Sequence, residues 1–216
     1  MKIFIPMAGK GTRLRPFTLT CPKPLINVLD KPIVEHLIDQ ITSKVKSNID
    51  EIVYILGDES YFNAEVVNSL NIISEKYNAK TKIYRQLEQL GTGHAIMCAE
   101  ESLSGPSIIA YADTMIQGNI EIDTQVDGIM WVKKVDNPSA YGVVNLDNEN
   151  KITELIEKPA EFISDLAVVG IYYFKEAANL RGYLRKHLSE KLSPGKEYLL
   201  NYGIEKMIKN GDRFVP

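Results

Sequence analysis

The residues able to do chemistry begin in the first loop of the chain. Gly9 and Gly11 stand behind the apolar run Ile3-Phe4-Ile5, Arg13 and Arg15 follow at once, and Lys23 lies ten residues after Arg13 between Pro22 and Pro24. Glycines let a chain turn sharply and bring backbone N–H groups against an anion, while the flanking prolines restrict the backbone on both sides of one ammonium. That is the chemistry of phosphate binding. Two better-known phosphate loops do not match: a dinucleotide fingerprint needs a glycine where Leu14 stands, and a P-loop needs four residues between its glycines and then Lys-Ser/Thr. Taken alone, Gly9-Lys-Gly11 leaves an ordinary solvated turn open.

Two further stretches carry candidate groups. In Gln86-Leu-Glu-Gln-Leu-Gly-Thr-Gly-His-Ala95, Gly91 and Gly93 open a helix-like run, where backbone donors can meet a base or ribose. An amide such as Gln86 can both donate to and accept from one base edge, which suits uracil or thymine. A glycine-rich helix start with solvated glutamines remains the plain alternative, and His94 reads as a helix-face residue rather than an acid or base. Asp113 follows the apolar run Ser107-Ile-Ile-Ala-Tyr111. A carboxylate at the carboxyl end of a central strand can hold a hard cation such as Mg²⁺ through oxygen, although aspartate is also a common turn former.

The elements that must position these groups follow from periodicity. Ile3–Ile5, Glu51–Leu56 and Thr81–Arg85 read as buried strands. Between them, Ile33, Leu37, Ile38, Ile41 and Val45, then Phe62, Val66, Leu70, Ile73 and Tyr77, recur at helical spacing. Asp30-Lys-Pro32 looks like the first helix start, and Ala95, Ile96, Ala99 and Leu103 extend a helix behind Gly93. This βαβαβ order predicts an α/β fold: a doubly wound, Rossmann-like, mixed but mostly parallel sheet with helices on both faces, its ligands beyond the carboxyl ends of the strands. From Gly128 the spacing shortens. Gly128–Val135, Tyr141–Leu146 and Lys151–Ile156 read as strands, the last two as a hairpin across Asp147–Asn150, and Leu166–Phe174 adds another. Leu180, Leu184 and Leu188, then Leu200, Ile204, Met207 and Ile208, are expected to cover the sheet as helices, with Asn210-Gly211 as a C-cap.

At 216 residues and 44% apolar, the chain can bury one full core, and no compositional break asks for a second domain. A formal net charge of −3 argues against nucleic acid or anionic membrane as a general partner, so attraction for phosphate must be local. The first apolar run is too short for a signal peptide and no segment approaches a membrane span. Cys21 and Cys98 lack metal spacing and are expected as free thiols in a cytoplasmic protein. Oligomeric state is not legible, and a homo-oligomer stays open.

In combination these motifs are more specific than singly. Gly9-x-Gly11-Thr12-Arg13-Leu14 with Pro22-Lys23-Pro24-Leu25 resembles the signature of the sugar-1-phosphate nucleotidylyltransferases, the family of glucose-1-phosphate thymidylyltransferase and of the uridylyltransferases for glucose and N-acetylglucosamine phosphates. The resemblance continues in order. Gln86 to Ala95 is similar to the family's Gln-x-x-x-x-Gly-Thr-x-x-Ala base segment. Tyr141-Gly142-Val-Val, Glu157-Lys158-Pro159 and Val169-Gly170-Ile-Tyr172 resemble its sugar-phosphate half, while Ala112-Asp113 departs from the family's Gly-Asp.

The resemblance implies the nucleotide-diphospho-sugar transferase fold and a single domain over 1–216, with a nucleotide half over 1–127 and a sugar-phosphate half over 128–216. It implies nucleotide contacts at Ala8, Gly9, Gly11, Thr12, Gln86, Gly91 and Thr92, and sugar-phosphate contacts at Tyr111, Gly142, Glu157 and Val169. Catalytic roles fall to Arg13, Lys23, Asp113 and Lys158, with Mg²⁺ on Asp113. The reaction implied joins a hexose 1-phosphate to UTP or dTTP and releases pyrophosphate; Val168-Val169, where N-acetylglucosamine enzymes have Asn-Thr, favours glucose. A GTP-using mannose 1-phosphate enzyme, a cytidylyltransferase and a non-catalytic regulatory nucleotide binder are the alternatives. Family members continue past the region of Gly211–Val215 into a Trp-x-Asp-x-Gly strand whose Asp is a second metal ligand. This chain is expected to lack that segment and to be a piece of a longer enzyme.

Overall fold

The computed structural model describes residues 1–115, 122–123 and 125–216. Its first half runs β1 (Lys2–Pro6), the short pair β2 (Asn27–Val28) and β3 (Lys31–Pro32), α1 (Ile33–Thr42), β4 (Glu51–Leu56), α2 (Ala64–Glu75), β5 (Lys80–Arg85), α3 (Thr92–Cys98) and β6 (Ser107–Ala110). The second half runs β7 (Gly128–Lys134), β8 (Gly142–Leu146), β9 (Ile152–Glu157), β10 (Leu166–Phe174), α4 (Ala177–Ser189), α5 (Leu200–Lys209) and β11 (Phe214–Val215). Three-residue 3-10 turns cover Thr12–Leu14, Phe17–Leu19, Lys23–Leu25 and Glu100–Ser102.

One nine-stranded sheet carries both halves, in the order β11-β7-β10-β6-β1-β4-β5, with β8 attached to β10 and β9 to β8. The strands β6, β1, β4 and β5 are parallel, and β11 is parallel to β7. β10 runs antiparallel between β6 and β7, so it joins the two halves across the sheet. The mixed, mostly parallel sheet expected from the pattern is therefore present.

Strand alternation divides the core. In β1 and β4, Ile3, Ile5, Ile52, Tyr54 and Leu56 face Val34, Leu37, Ile38 and Ile41 of α1 and Leu70 and Ile73 of α2. Phe4, Val53 and Ile55 point the other way, onto Ala95 and Ile96 of α3, Leu180 and Leu184 of α4, and Leu200, Ile204 and Met207 of α5. The near-continuous apolar runs are the consequence of a sheet covered on both faces. Each such buried side chain contributes about 1.5–3 kcal/mol before the cost of ordering. Among the described residues, no helix is long and apolar enough to cross a membrane.

Boundaries differ from the expectation where local pairing overrides periodicity. Lys31–Pro32 pairs with Asn27–Val28 around Leu29, whose φ is 59°, so α1 starts only at Ile33. Phe62 and Tyr77 flank α2 rather than lie in it, because Asn63 Oδ1 caps the backbone N–H groups of Glu65 and Val66. Helix α3 stops at Cys98, and Leu103 is buried beyond a 3-10 turn. Asn210 caps α5 with Gly211 at φ 103°, as the Asn-Gly pair predicts.

Candidate active site

The carboxyl ends of β1, β5 and β6 open onto one cleft of about 650 Å³. Pairing of β1 with β4 continues to Met7, whose N–H reaches Ile55 O at 2.8 Å, and the chain then leaves the sheet as Ala8–Gly11. Thr18 Oγ1 donates to Gly11 O at 2.8 Å, while Tyr61 Oη donates to Thr18 O at 2.7 Å and to Cys21 O at 3.0 Å. These bonds tie down the stretch that presents Lys23. With Pro24 buried, the Lys23–Leu25 turn aims the lysine into the cleft, where its Nζ donates to Asp113 Oδ2 at 2.8 Å. Arg13 lines the same cleft from the Thr12–Leu14 turn.

The opposite wall is the loop after β5. Gln86 is 5% exposed; its Nε2 donates to Gly91 O at 2.9 Å and to His94 Nδ1 at 3.0 Å. Burial pushes the His94 pKa down, which keeps the ring neutral and Nδ1 free to accept. Tyr198 N–H donates to Leu90 O at 2.8 Å and Gly93 N–H to Tyr198 O at 2.7 Å, so the segment before α5 pairs with this loop almost as a strand would. Gly91 has φ 116°, and a Cβ there would stand 2.6 Å from Tyr198 O; both demand glycine. Gln89 Nε2 closes the cleft by donating to Ala8 O at 3.2 Å.

A second cleft, of about 600 Å³, adjoins the first, and Thr92, Tyr111, Asp113 and Glu197 line both. Its floor is β10, which bulges between Val168 and Tyr172. At the bulge Gly170, φ 82°, receives Tyr111 N–H on its carbonyl at 3.0 Å and leaves room for the Tyr111 ring, 2.4 Å from where a Cβ would be. The β8–β9 hairpin sets Gly142 opposite Glu157. Lys158 then turns into the left-handed region, φ 46°, with its N–H on Tyr141 O at 3.0 Å. A lysine in that conformation carries backbone strain, which marks a position held by its surroundings. Burial raises the Tyr111 and Tyr172 pKa values, so both hydroxyls stay protonated.

Every residue given a binding or catalytic role from the sequence lines one of these clefts, whereas Arg15 of the first loop lines neither. Ala8, Gly9, Gly11, Thr12, Arg13, Lys23, Gln86 and Gly91 lie in the first; Gly142, Glu157, Lys158 and Val169 in the second; Thr92, Tyr111 and Asp113 at the junction.

The profile of the family described as nucleotidyl transferase matches residues 4–212. The chain belongs to the nucleotidyl transferase family. It is 34% identical over 215 residues to the bifunctional protein GlmU of Methanococcus maripaludis strain S2, a match covering 98% of this chain and 48% of that protein. The chain thus spans about half the length of such curated relatives. It is also 30% identical over 220 residues to the UTP--glucose-1-phosphate uridylyltransferase AglF of Haloferax volcanii, covering 98% of this chain and 85% of the relative. Among solved structures, a UDP-glucose pyrophosphorylase in complex with UDP-glucose shares the fold at TM-score 0.77 and 22% identity, over 99% of this chain and 89% of that one. A nucleoside-diphosphate-sugar pyrophosphorylase from Vibrio cholerae RC9 does so at TM-score 0.82 and 19% identity, over 99% and 90%.

For a nucleotidyl transferase, the arrangement offers cationic side chains and backbone donors on one side of Asp113, and a polar hollow on the other. Among the described residues no group of three or more His, Cys, Asp or Glu forms a metal cage. Asp113 is half exposed, which suits a cation that takes its remaining ligands from water and phosphate oxygens. Burial raises the pKa of Cys21 and Cys98, leaving both as protonated thiols away from the chemistry. Sequence reasoning did not single out Glu197, Gln89, Lys133 or Asn201, which also line the clefts. Glu197 and Asn201 arrive through the α5 approach, whose pattern signals only a covering helix, and nothing in their local sequence separates them from surface polar residues.

Proposed function

We propose that this chain carries the transfer of a nucleotidyl group from a pyrimidine nucleoside triphosphate, UTP or dTTP, to a hexose 1-phosphate. Glucose 1-phosphate is the acceptor we favour, with pyrophosphate as the leaving group. The observation that carries the reading is the meeting of two clefts at Thr92, Tyr111 and Asp113, one built on the glycine loop with Arg13 and Lys23, the other on Glu157 and Lys158. The Val168-Val169-Gly170 segment and the uridylyltransferase activity for which the AglF relative is named support glucose 1-phosphate and UTP.

In the reaction a phosphate oxygen of the hexose 1-phosphate forms a bond to the α-phosphorus, and the bond from that phosphorus to the β-bridging oxygen breaks. The electron pair leaves with pyrophosphate. No covalent intermediate on the protein is needed, so catalysis comes from holding two mutually repelling anions in line and neutralising charge. Backbone N–H groups of Ala8–Thr12 and the Arg13 guanidinium take the triphosphate tail. Lys23 bridges the nucleotide phosphates and the attacking phosphate, and Lys158 holds the hexose phosphate from the other cleft. Gln86 and Gly91 shape the base end, and Glu157 accepts from sugar hydroxyls. Asp113 is the residue we assign to Mg²⁺, which when bound supplies charge neutralisation at the phosphates. The phosphate nucleophile is already largely ionised at neutral pH, so no general base is called for.

The test is pyrophosphate release with Mg²⁺, glucose 1-phosphate and, in separate reactions, UTP, dTTP, GTP and CTP. Release with UTP or dTTP alone is expected. Release confined to GTP overturns the pyrimidine assignment, release confined to CTP overturns the choice of uracil or thymine, and nucleotide binding without release in a folded protein moves the chain to a regulatory binder.

A further inference from the structure

Glu157 ends β9 at the rim of the second cleft, where a carboxylate can rotate unless something holds it. One of its oxygens is held. Asn201, on α5, donates from Nδ2 to Glu157 Oε2 at 2.8 Å. The amide is itself oriented, because Tyr172 Oη donates to Asn201 Oδ1 at 3.1 Å and Tyr172 is 2% exposed. The Tyr172 ring packs edge-on against that of Tyr111, with centroids 6.0 Å apart. A Cβ at Gly142, across the β8–β9 ladder, would stand 3.0 Å from both Asn201 Nδ2 and Glu157 Oε2, so the pair occupies the space that residue leaves.

We infer that Asn201 is a positioning residue for sugar recognition: fastened by Tyr172, it holds Glu157 Oε2 and leaves Oε1 to accept from the hexose hydroxyls. The inference rests on the reading of Glu157 given above. An asparagine suits the task because a Tyr-to-carbonyl bond fixes which end of the amide meets the carboxylate. A hydrogen bond to a charged acceptor contributes more than a neutral one, so its loss is read mainly in the hexose and not in the nucleotide.

The test compares Asn201→Asp, Asn201→Ala and Tyr172→Phe in the full chain, with KM for glucose 1-phosphate and for UTP measured against the native chain at each pH. Near about pH 8, Asn201→Asp sets two carboxylates together, and both Asn201 variants should raise the hexose KM by about tenfold to a hundredfold with UTP KM unchanged. Near about pH 5.5 the carboxylate pair shares a proton, and the introduced carboxyl donates to Glu157 Oε2 as the amide did. The ratio of Asn201→Asp to native kcat/KM should then recover, while that of Asn201→Ala should not. Lys133, Lys158, Lys191, Lys196, His187 and Glu197 also surround the pair and are common to the native chain and both Asn201 variants, so the ratio cancels them. Tyr172→Phe, which keeps the ring in the core, should raise the hexose KM less. Equal pH ratios for the two Asn201 variants, or an unchanged hexose KM in Tyr172→Phe, overturn the assignment of Asn201 alone. A native chain that transfers nothing to any hexose 1-phosphate overturns the reading of the site, and this inference with it.

Discussion

Lys23 Nζ and Asp113 Oδ2 stand 2.8 Å apart, joining the proline-flanked turn after β1 to the end of β6. The lysine side chain is 30% exposed and the aspartate 54%, so the pair contributes about 0–1 kcal/mol to stability. Its importance is placement: an ammonium of the first cleft is held against the carboxylate that lines both clefts, the one proposed above for Mg²⁺. Lys23→Ala should leave the urea midpoint nearly unchanged while turnover falls by about 10²–10³-fold, as when a transition-state donor is lost. Near-native turnover in a folded Lys23→Ala protein sinks the assigned phosphate role. Asp113→Asn should match it in stability and lose the response of rate to Mg²⁺ concentration, the measurement that separates the two residues.

The bond from Gln86 to His94 predicts a pH dependence. Burial, outweighing the pull of Glu88, holds the His94 pKa below its ordinary value. The folded chain therefore prefers the neutral ring, and the stability this confers is present above about pH 6.5, the unfolded value, and is lost as pH falls through the lower folded value. Protonated His94 can no longer accept at Nδ1, so Gln86 Nε2 loses one of its two partners. Urea unfolding should show a stability advantage of the native chain over His94→Phe that shrinks on acidification. A constant difference would falsify the neutral-acceptor role.

Gln86 itself should govern nucleotide choice more than rate. Gln86→Ala leaves His94 Nδ1 without its donor and Gly91 O with only the Ala95 N–H, both half-buried, a loss of about 1–3 kcal/mol. Because this loop forms a wall of the first cleft, competition among UTP, dTTP and GTP should become less selective while kcat changes little. Unaltered selectivity would remove Gln86 from base recognition.

Lys158 sets its ammonium on a left-handed backbone, φ 46°, where a side chain costs about 1–2 kcal/mol relative to glycine. Lys158→Gly and Lys158→Ala both delete the ammonium and should both depress turnover with glucose 1-phosphate. Only the glycine variant relieves the backbone, so it should be the more stable of the two by about 1 kcal/mol in denaturant titration. An alanine variant equal in stability would show that the turn relaxes without cost.

Gly170 makes the opposite case. With φ 82° and the Tyr111 ring 2.4 Å from where a Cβ would stand, Gly170→Ala strains the backbone and displaces an aromatic ring together. A loss of about 1–3 kcal/mol is expected, with a higher KM for glucose 1-phosphate because Tyr111 lines the second cleft. Tyr111→Leu combined with Gly170→Ala should recover part of the stability if the ring is the obstacle.

Much of this was legible in the sequence because the physics is local. Apolar runs of Ile3–Ile5 and Glu51–Leu56 and the helical spacing of Ile33 to Ile41 need only burial on a regular backbone to declare themselves, and they brought the strands and helices of the doubly wound sheet with them. Gly9, Gly11, Lys23 and Asp113 were also readable, since glycine, paired prolines and a strand-end carboxylate restrict the chain where they stand. What only the tertiary structure decided lies between segments distant in sequence. Lys23 meets Asp113, Gln86 turns inward onto Gly91 and His94, Tyr198 pairs with the Gly91 loop, and Asn201 holds Glu157. Such contacts depend on strand order, on a bulge at Gly170 and on where α5 docks. No residue's own propensity encodes them, because a side-chain hydrogen bond is chosen by which partners the packed sheet brings within reach.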